Sequence, residues 1–309
     1  MPQYGLAIAW NWEFDADFVA GIEHACARRG ISTFRIEPHN LQRVMADLAA
    51  GRLGFDVFFD RASDADADFL PLAAELRKTC RRVINPHELV LAAIDKSIMH
   101  YVLISHGIYV PNSIILAPYS SHEQVDLEVE DLERLGIPFV IKPAKTTGGG
   151  TGVVMNARTL HDVLHARKEN PQDAYLVQET IHPRILEGKR AWFRAYWVLG
   201  QVLLCWWDDQ THRYSELHDG DELLHGLGGL RPIIETIQRA CRLDFFSSEI
   251  AVTKERAFIV VDYVNEVCDM RLQSKYGNGA PDDVVRRIEE LIAQEAARVL
   301  QHEHAGVRS

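Results

Sequence analysis

The chain has 309 residues and a formal net charge of −11, from 33 Lys and Arg against 44 Asp and Glu. Its hydrophobic fraction is 47%, and with this length it can bury a large core and fold as more than one domain. The acidic balance argues against binding through a nucleic-acid backbone, which needs a basic face, and against docking on an anionic membrane. A small anionic ligand in a local basic pocket is compatible with it.

Cys26, Cys80, Cys205, Cys241 and Cys268 are far apart and form no Cys-x-x-Cys. That spacing predicts reduced thiols and a cytoplasmic setting rather than a disulfide framework or a zinc site. No basic-then-apolar segment stands at the N-terminus, so no secretory signal is expected. The most apolar stretch, 192–207, is broken by Arg194 and Gln201 and is too interrupted to span a membrane.

The first part of the chain alternates. Residues 4–10 read as a strand, 15–29 as a helix, 32–36 as a strand, 41–50 as a helix, 55–60 as a strand and 67–81 as a helix. Strands alternating with helices over short loops predict a parallel sheet. Trp10-Asn11-Trp12-Glu13 follows the first strand where a dinucleotide fold would place Gly-x-Gly-x-x-Gly, so this sheet is not read as a dinucleotide site. At Asn85-Pro86-His87-Glu88 the pattern resets, with Asn as cap and Pro at the first helical position. The following helix carries Asp95-Lys96 and ends near Gly107. A strand at 113–116, an acidic helical stretch at 121–134, a strand at 138–143, a Gly-rich loop at 146–152, a strand at 153–155, a helix at 160–167 and a strand at 174–178 come next. The last part is richer in strands, at 192–199, 202–207, 247–252 and 258–263, with helices at 233–242 and 281–301. The final helix has an apolar stripe of Val284, Val285, Ile288, Leu291, Ile292 and Val299.

Three constellations carry chemistry. The loop Thr146-Thr147-Gly148-Gly149-Gly150-Thr151-Gly152 joins two strands. Glycines let backbone N–H groups approach a phosphate, and hydroxyls add donors. The Gly-Lys-Ser/Thr of a P-loop is absent, and a loop of this kind is also an ordinary hairpin. Lys142, inside the apolar strand just before it, is either an edge-strand lysine reaching solvent or a compact cation for phosphate. The second constellation is the apolar strand 259–261 delivering Asp262 and, three residues on, Asn265. Hard oxygen donors suit Mg²⁺, which shares its sphere with nucleotide phosphates. Glu249, on the preceding strand, adds a second carboxylate across a hairpin; the bland alternative is a polar turn. The third is Tyr175-Leu176-Val177-Gln178-Glu179, a strand running into a polar segment, followed by Arg190 and Arg194 at a spacing that puts both on one strand face.

Taken in order, Asp95-Lys96, Ile108-Tyr109-Val110-Pro111, Val140-Ile141-Lys142-Pro143 with the glycine loop, Leu176-Val177-Gln178-Glu179, Arg194 and Asp262 to Asn265 resemble the ATP-grasp superfamily, in the glutathione synthetase and D-alanine–D-alanine ligase branch. The resemblance covers about 85–270 and rests on the ordered set, no single motif being specific. It implies an α/β and α+β architecture: an N-terminal parallel α/β domain over 1–86, a central lobe with the Gly-rich lid over 87–176, and a C-terminal lobe with the metal site over 177–309, the last two clamping ATP. It implies that Lys96 and Lys142 hold phosphates, that Gly148, Gly149, Gly150 and Thr151 close over them, and that Gln178, Glu179 and Ile181 line the adenine site. Glu187 would meet the ribose and Arg194 the transferred phosphoryl group. Glu249, Asp262 and Asn265 would bind Mg²⁺, with Mn²⁺ as the alternative ion.

The sequence departs from the family at the metal strand. Members commonly end it in Glu-x-Asn followed by Pro-Gly. Here one more residue separates Asp262 from Asn265, which requires a bulge or turns Asn265 away, leaving Glu266 as substitute. The missing Pro-Gly withholds the identity of the substrates. The implied activity is an ATP-dependent carboxylate–amine ligase forming a C–N bond through an acyl phosphate, on small molecules or peptides. A kinase of the same fold and a non-catalytic ATP-binding module are the alternatives. Arg271 is a candidate for a substrate carboxylate, as well as an ordinary surface Arg. Asp60-Arg61 faces the usual ligand crevice of an open sheet. A homodimer is compatible with such a chain.

Overall fold

Strand β1 (Gln3–Trp10) has buried residues from Gly5 to Trp10, as a strand with both faces covered requires. It sits inside a four-stranded parallel sheet of order β2-β1-β3-β4, with β2 at Thr33–Ile36, β3 at Gly54–Arg61 and β4 at Arg82–Ile84. The crossovers carry α1 (Ala16–Ala27), α2 (Leu41–Ala49) and α3 (Leu70–Thr79). Ala7, Ala9 and Phe58 pack with Leu41, Val44, Leu72 and Leu76 of α2 and α3. Leu6, Ile8, Val57 and Phe59 pack the other way, onto Phe18 and Ile22 of α1. The computed structural model describes residues 2–146 and 150–306, with backbone alone at 219 and 302–306.

Next come α4 (His87–Ile94), α5 (Lys96–Ser105), β5 (Ser113–Leu116), α6 (Val129–Leu135), β6 (Phe139–Pro143), β7 (Val154–Ala157), α7 (Leu160–Glu169) and β8 (Tyr175–Glu179). The four strands form an antiparallel sheet of order β5-β8-β6-β7. Its Phe139, Ile141, Tyr175 and Val177 pack against Leu132, Val163 and Ala166 of α6 and α7. Alternation then turns Lys142, Leu176 and Gln178 to the opposite face.

The third part holds β9 (Ile185–Leu186), β10 (Lys189–Arg190), β11 (Trp192–Val198), β12 (Gln201–Asp208), β13 (Arg213–Ser215), α8 (Asp219–Leu224), α9 (Leu230–Cys241), β14 (Phe245–Val252), β15 (Phe258–Asn265) and α10 (Asp282–Gly306). Strands β9 and β10 make a small hairpin. The others form an antiparallel sheet of order β13-β12-β11-β14-β15. Phe193 and Ala195 join Leu230, Ile234 and Ile237 of α9. Tyr196 and Val198, on the alternate face, join the core of the parallel sheet, where Val285, Ile288, Leu291 and Ile292 of α10 also lie. The last helix thus returns to the first sheet. Among the described residues no helix is long and apolar enough to cross a membrane.

Several local expectations are corrected. The expected helix through Asp95 is two helices, because Asp95 is extended and its carboxylate accepts from Ser97 N at 3.0 Å and Ile98 N at 3.3 Å. That capping bond replaces continuation of the helix. Asn85 is not a cap: Pro86 holds that position, and Asn85, at φ 54°, accepts from Asp244 N and Phe245 N through its side chain. The acidic helix is shortened to α6. Residues before it stay irregular because the buried Arg167 guanidinium donates to the carbonyls of Ala117, His122 and Glu123, bonds a helix would need for itself. Arg190 and Arg194 lie on different strands, with Arg190 held by Asp209 through two bonds of 2.6 and 2.8 Å. All five cysteines are free thiols.

Candidate active site between the two antiparallel sheets

Lys142 and β15 meet where the two antiparallel sheets face each other. Lys142 Nζ donates to Val261 O at 2.8 Å and lies 5.5 Å from the centre of the Tyr263 ring. Burial lowers its pKa to about 8, with the Asp262 carboxylate opposing and Lys96 reinforcing the shift. Lys96, the first residue of α5, is also buried. Its backbone N–H bonds Ala144 O at 3.0 Å, and its Nζ lies 3.5 Å from Asp262 Oδ1. The Asp262 carboxylate is held far below the usual range: burial opposes ionisation, but Lys96, Lys142 and the Asn265 amide outweigh it.

Glu249 and Asp262 are register partners across β14 and β15. The pairing is irregular on both sides of Glu249, and Asn265 pairs with Ser247. This is the bulge that the extra residue demands. It leaves Asn265 Nδ2 bonded to Asp262 Oδ2 at 2.7 Å, so acid and amide share one locus. Glu266 follows, with burial raising its carboxyl to about 7.

Arg194 lies opposite Glu249 on β11. Its Nη2 donates to Glu249 Oε1 at 2.5 Å, its Nη1 to Ser247 Oγ at 3.4 Å, and its guanidinium covers the Trp207 ring at 4.8 Å. Its Nε is buried without a partner. Coulombic attraction to Glu249 raises its pKa against the burial penalty. Trp192 Nε1 donates to Glu249 Oε2 at 2.9 Å. The group therefore sets three cations, Lys96, Lys142 and Arg194, against two carboxylates, a local excess of positive charge in an acidic chain.

A second set ties the sheets together. Tyr263 OH accepts from Gln178 Nε2 at 2.9 Å and lies 2.7 Å from His100 Nδ1. Gln178 Nε2 also reaches Ser113 Oγ at 2.8 Å. The Gln178 side chain is thus occupied inside the junction. Glu179 ends β8, and its Oε1 accepts from Asn112 N at 2.8 Å. Ile181 follows, half-buried. Glu187 stands at φ 50° beside Gly188 in the β9–β10 turn, exposed, with Oε1 3.4 Å from His225 Nε2. Tyr263 and His100 escaped sequence reading because an aromatic and a His in apolar runs read as core.

The glycine loop springs from this junction. Asp173 Oδ2 accepts from Lys145 N, Thr146 N and Thr146 Oγ1 at 2.9–3.0 Å. Residues 147–149, with Gly148 and Gly149, lie outside the described residues. Gly150 has φ 82° and Thr151 is exposed. At Gly152, φ 74°, a Cβ would also stand 3.1 Å from Pro143 Cγ, so both freedom and space call for glycine. Arg271 is held side-on by Asp269, with Nη2 to Oδ2 at 2.6 Å, and is flanked by the Trp12, Phe14 and Tyr276 rings at 5.8, 5.8 and 5.3 Å.

Among the described residues no three His, Cys, Asp or Glu side chains group as a metal site. The two carboxylates and the Asn265 amide are nonetheless hard donors of the kind Mg²⁺ takes when phosphate oxygens complete its sphere.

No protein-family model and no curated protein matches the chain. Solved structures do. A RimK-domain ATP-grasp protein from Sphaerobacter thermophilus aligns with a TM-score of 0.63 at 20% identity, over 94% of this chain and 98% of that one. D-alanine–D-alanine ligase from Bacillus anthracis, complexed with ATP, aligns at 0.65 and 13%, over 98% and 99%. A Microcystis aeruginosa macrocyclase bound with its precursor peptide aligns at 0.62 and 13%, over 95% and 100%. The chain has the ATP-grasp fold.

Proposed function

We propose that the protein is an ATP-dependent carboxylate–amine ligase. The observation that carries this reading is the grouping of the buried Lys96 and Lys142 and the half-buried Arg194 with Glu249 and Asp262 between two antiparallel sheets. Buried charge that chemistry does not use costs stability, whereas phosphoryl transfer depends on such positioned charge.

In this reading Lys96 and Lys142 neutralise the phosphates, with Lys142 also near the adenine. Backbone N–H groups of Gly148, Gly149, Gly150 and Thr151 close over them. Gln178, Glu179 and Ile181 border the adenine mainly through backbone, and Glu187 meets the ribose. Glu249, Asp262 and Asn265 would hold Mg²⁺ or Mn²⁺, which would supply neutralisation of phosphate charge. A substrate carboxylate oxygen attacks the γ-phosphorus, the bond to the β-phosphate oxygen breaks, and ADP leaves. Arg194 faces the oxygens of the transferred group. The amine nitrogen then attacks the acyl carbon, the C–O bond to phosphate breaks, and the displaced proton passes to solvent. The acyl phosphate is labile in water, which is what a closing loop protects against. Arg271 would meet a substrate carboxylate through the donors that its side-on pair with Asp269 does not use. The units 1–86, 87–176 and 177–309 would be the domains, working in the cytoplasm.

An ADP-release screen over pairs of amino acids and small carboxylic acids tests this. A pair that raises ADP formation and yields equimolar phosphate and amide is expected. A lasting phosphoester instead would make the protein a kinase.

A further inference from the structure

Apolar side chains stand exposed where helices α4 and α5 face outward. The two helices pack against each other, and both pack on β15 and α9, so their outer faces lie side by side. On α5 the positions divide by helical period. Lys96, Met99, His100 and Leu103 point inward and are buried. Ile98, Tyr101 and Ile104 point outward, Tyr101 at 64% exposure. Leu91 does the same on α4. Tyr109, just past the end of α5, is 70% exposed between the inward Ile108 and Val110.

Single exposed hydrophobics are ordinary, but a cluster marks an interaction site. Five of the fourteen large hydrophobics exposed among the described residues fall within 91–109. At roughly 200 Å² for a large side chain they present about 600 Å², the upper end for the largest apolar patch of a monomer. Covering them buries no exposed charge. Between residues 89 and 112 the acids and bases are Asp95 and Lys96, and both are already buried. Charge returns at the border, where Glu88, one turn before Leu91, pairs with Arg77 at 2.8 Å. An apolar centre with a polar rim is the anatomy of a protein interface.

Charge and area both select a second copy of the chain as the occupant. A two-fold contact sets a surface against its own image, so net charge on it would repel itself. The chain carries −11, and this face is free of it. Two such patches bring together about 1,200 Å², which reaches the range of stable interfaces.

We propose that the protein forms a two-fold dimer through the outer faces of α4 and α5, with Ile98, Tyr101 and Ile104 at the centre. The contact leaves the inner face of α5, with Lys96, to the ATP locus.

Sedimentation velocity on the full chain tests this at protomer concentrations up to about 100 μM. Wild type should run as a dimer, twice the 35.0 kDa of the chain. Tyr101→Glu sets like charges against each other and should raise the dimer dissociation constant by about a hundred-fold or more. Leu223→Glu, at an exposed leucine of α8 outside this face, should leave it within about two-fold. Circular dichroism checks folding, and should Tyr101→Glu fail to fold, Leu91→Glu carries the same test from the other helix. A wild type that stays at 35.0 kDa, a dimer that survives the substitution, or one that Leu223→Glu breaks equally overturns the proposal.

Discussion

Lys142 shows how burial converts a residue into a measurable property. Desolvation brings its pKa to about 8, below that of a free lysine. Between that value and the unfolded one, the unfolded chain holds more protons, so this residue makes stability rise with pH across that window. Phosphate binding runs the other way, because the ammonium must be charged. ATP affinity should be flat below about pH 7 and fall toward ten-fold per unit above about pH 8, as read by calorimetry. Lys142→Arg, charged throughout, should abolish the slope. An unchanged slope in that variant would remove Lys142 from the phosphate site. Its position inside an apolar strand beside glycines was legible in the sequence. Its bond to Val261 was not, since nothing local in residues 138–143 encodes a partner more than a hundred residues away.

Among the elements, β15 carries the most information. The extra residue between Asp262 and Asn265 called for a bulge or for Asn265 turned away, and the pairing of β14 with β15 has the bulge. What the sequence left open was the direction of Asn265, which only the pairing of β14 with β15 decides. Tyr263 is the complementary case. Its hydroxyl joins Gln178 and His100 across the sheet junction, a role that no local pattern along the strand encodes. Tyr263→Phe leaves a buried amide donor short of a partner and should cost about 1–3 kcal/mol in chemical denaturation. The helix expected through Asp95 failed for the same kind of reason. Periodicity marks apolar faces, but a capping side chain decides where a helix starts.

Across the whole molecule, the alternation of the first 80 residues made the parallel sheet legible, and the order of motifs made the ATP-grasp fold legible. The return of α10 to the first sheet was not, because an apolar stripe says that a face is buried and not against what. Core sharing also explains the buried Arg61–Asp15 pair, whose Arg61 Nη2 reaches Cys268 O at 2.9 Å. Asp15→Ala leaves that cation uncompensated and should cost about 3–5 kcal/mol, seen as a lower thermal midpoint.

The net charge of −11 surrounds a junction where the buried Lys96 and Lys142 and the half-buried Arg194 face the carboxylates of Glu249 and Asp262, and that contrast is the core of the functional reading. Its most direct test compares wild type with Asp262→Ala, both checked for folding, for ADP formation from ATP and Mg²⁺ with a productive acid–amine pair. The account predicts at least a hundred-fold loss, about 2.7 kcal/mol of transition-state stabilisation. Turnover that survives the substitution would contradict it.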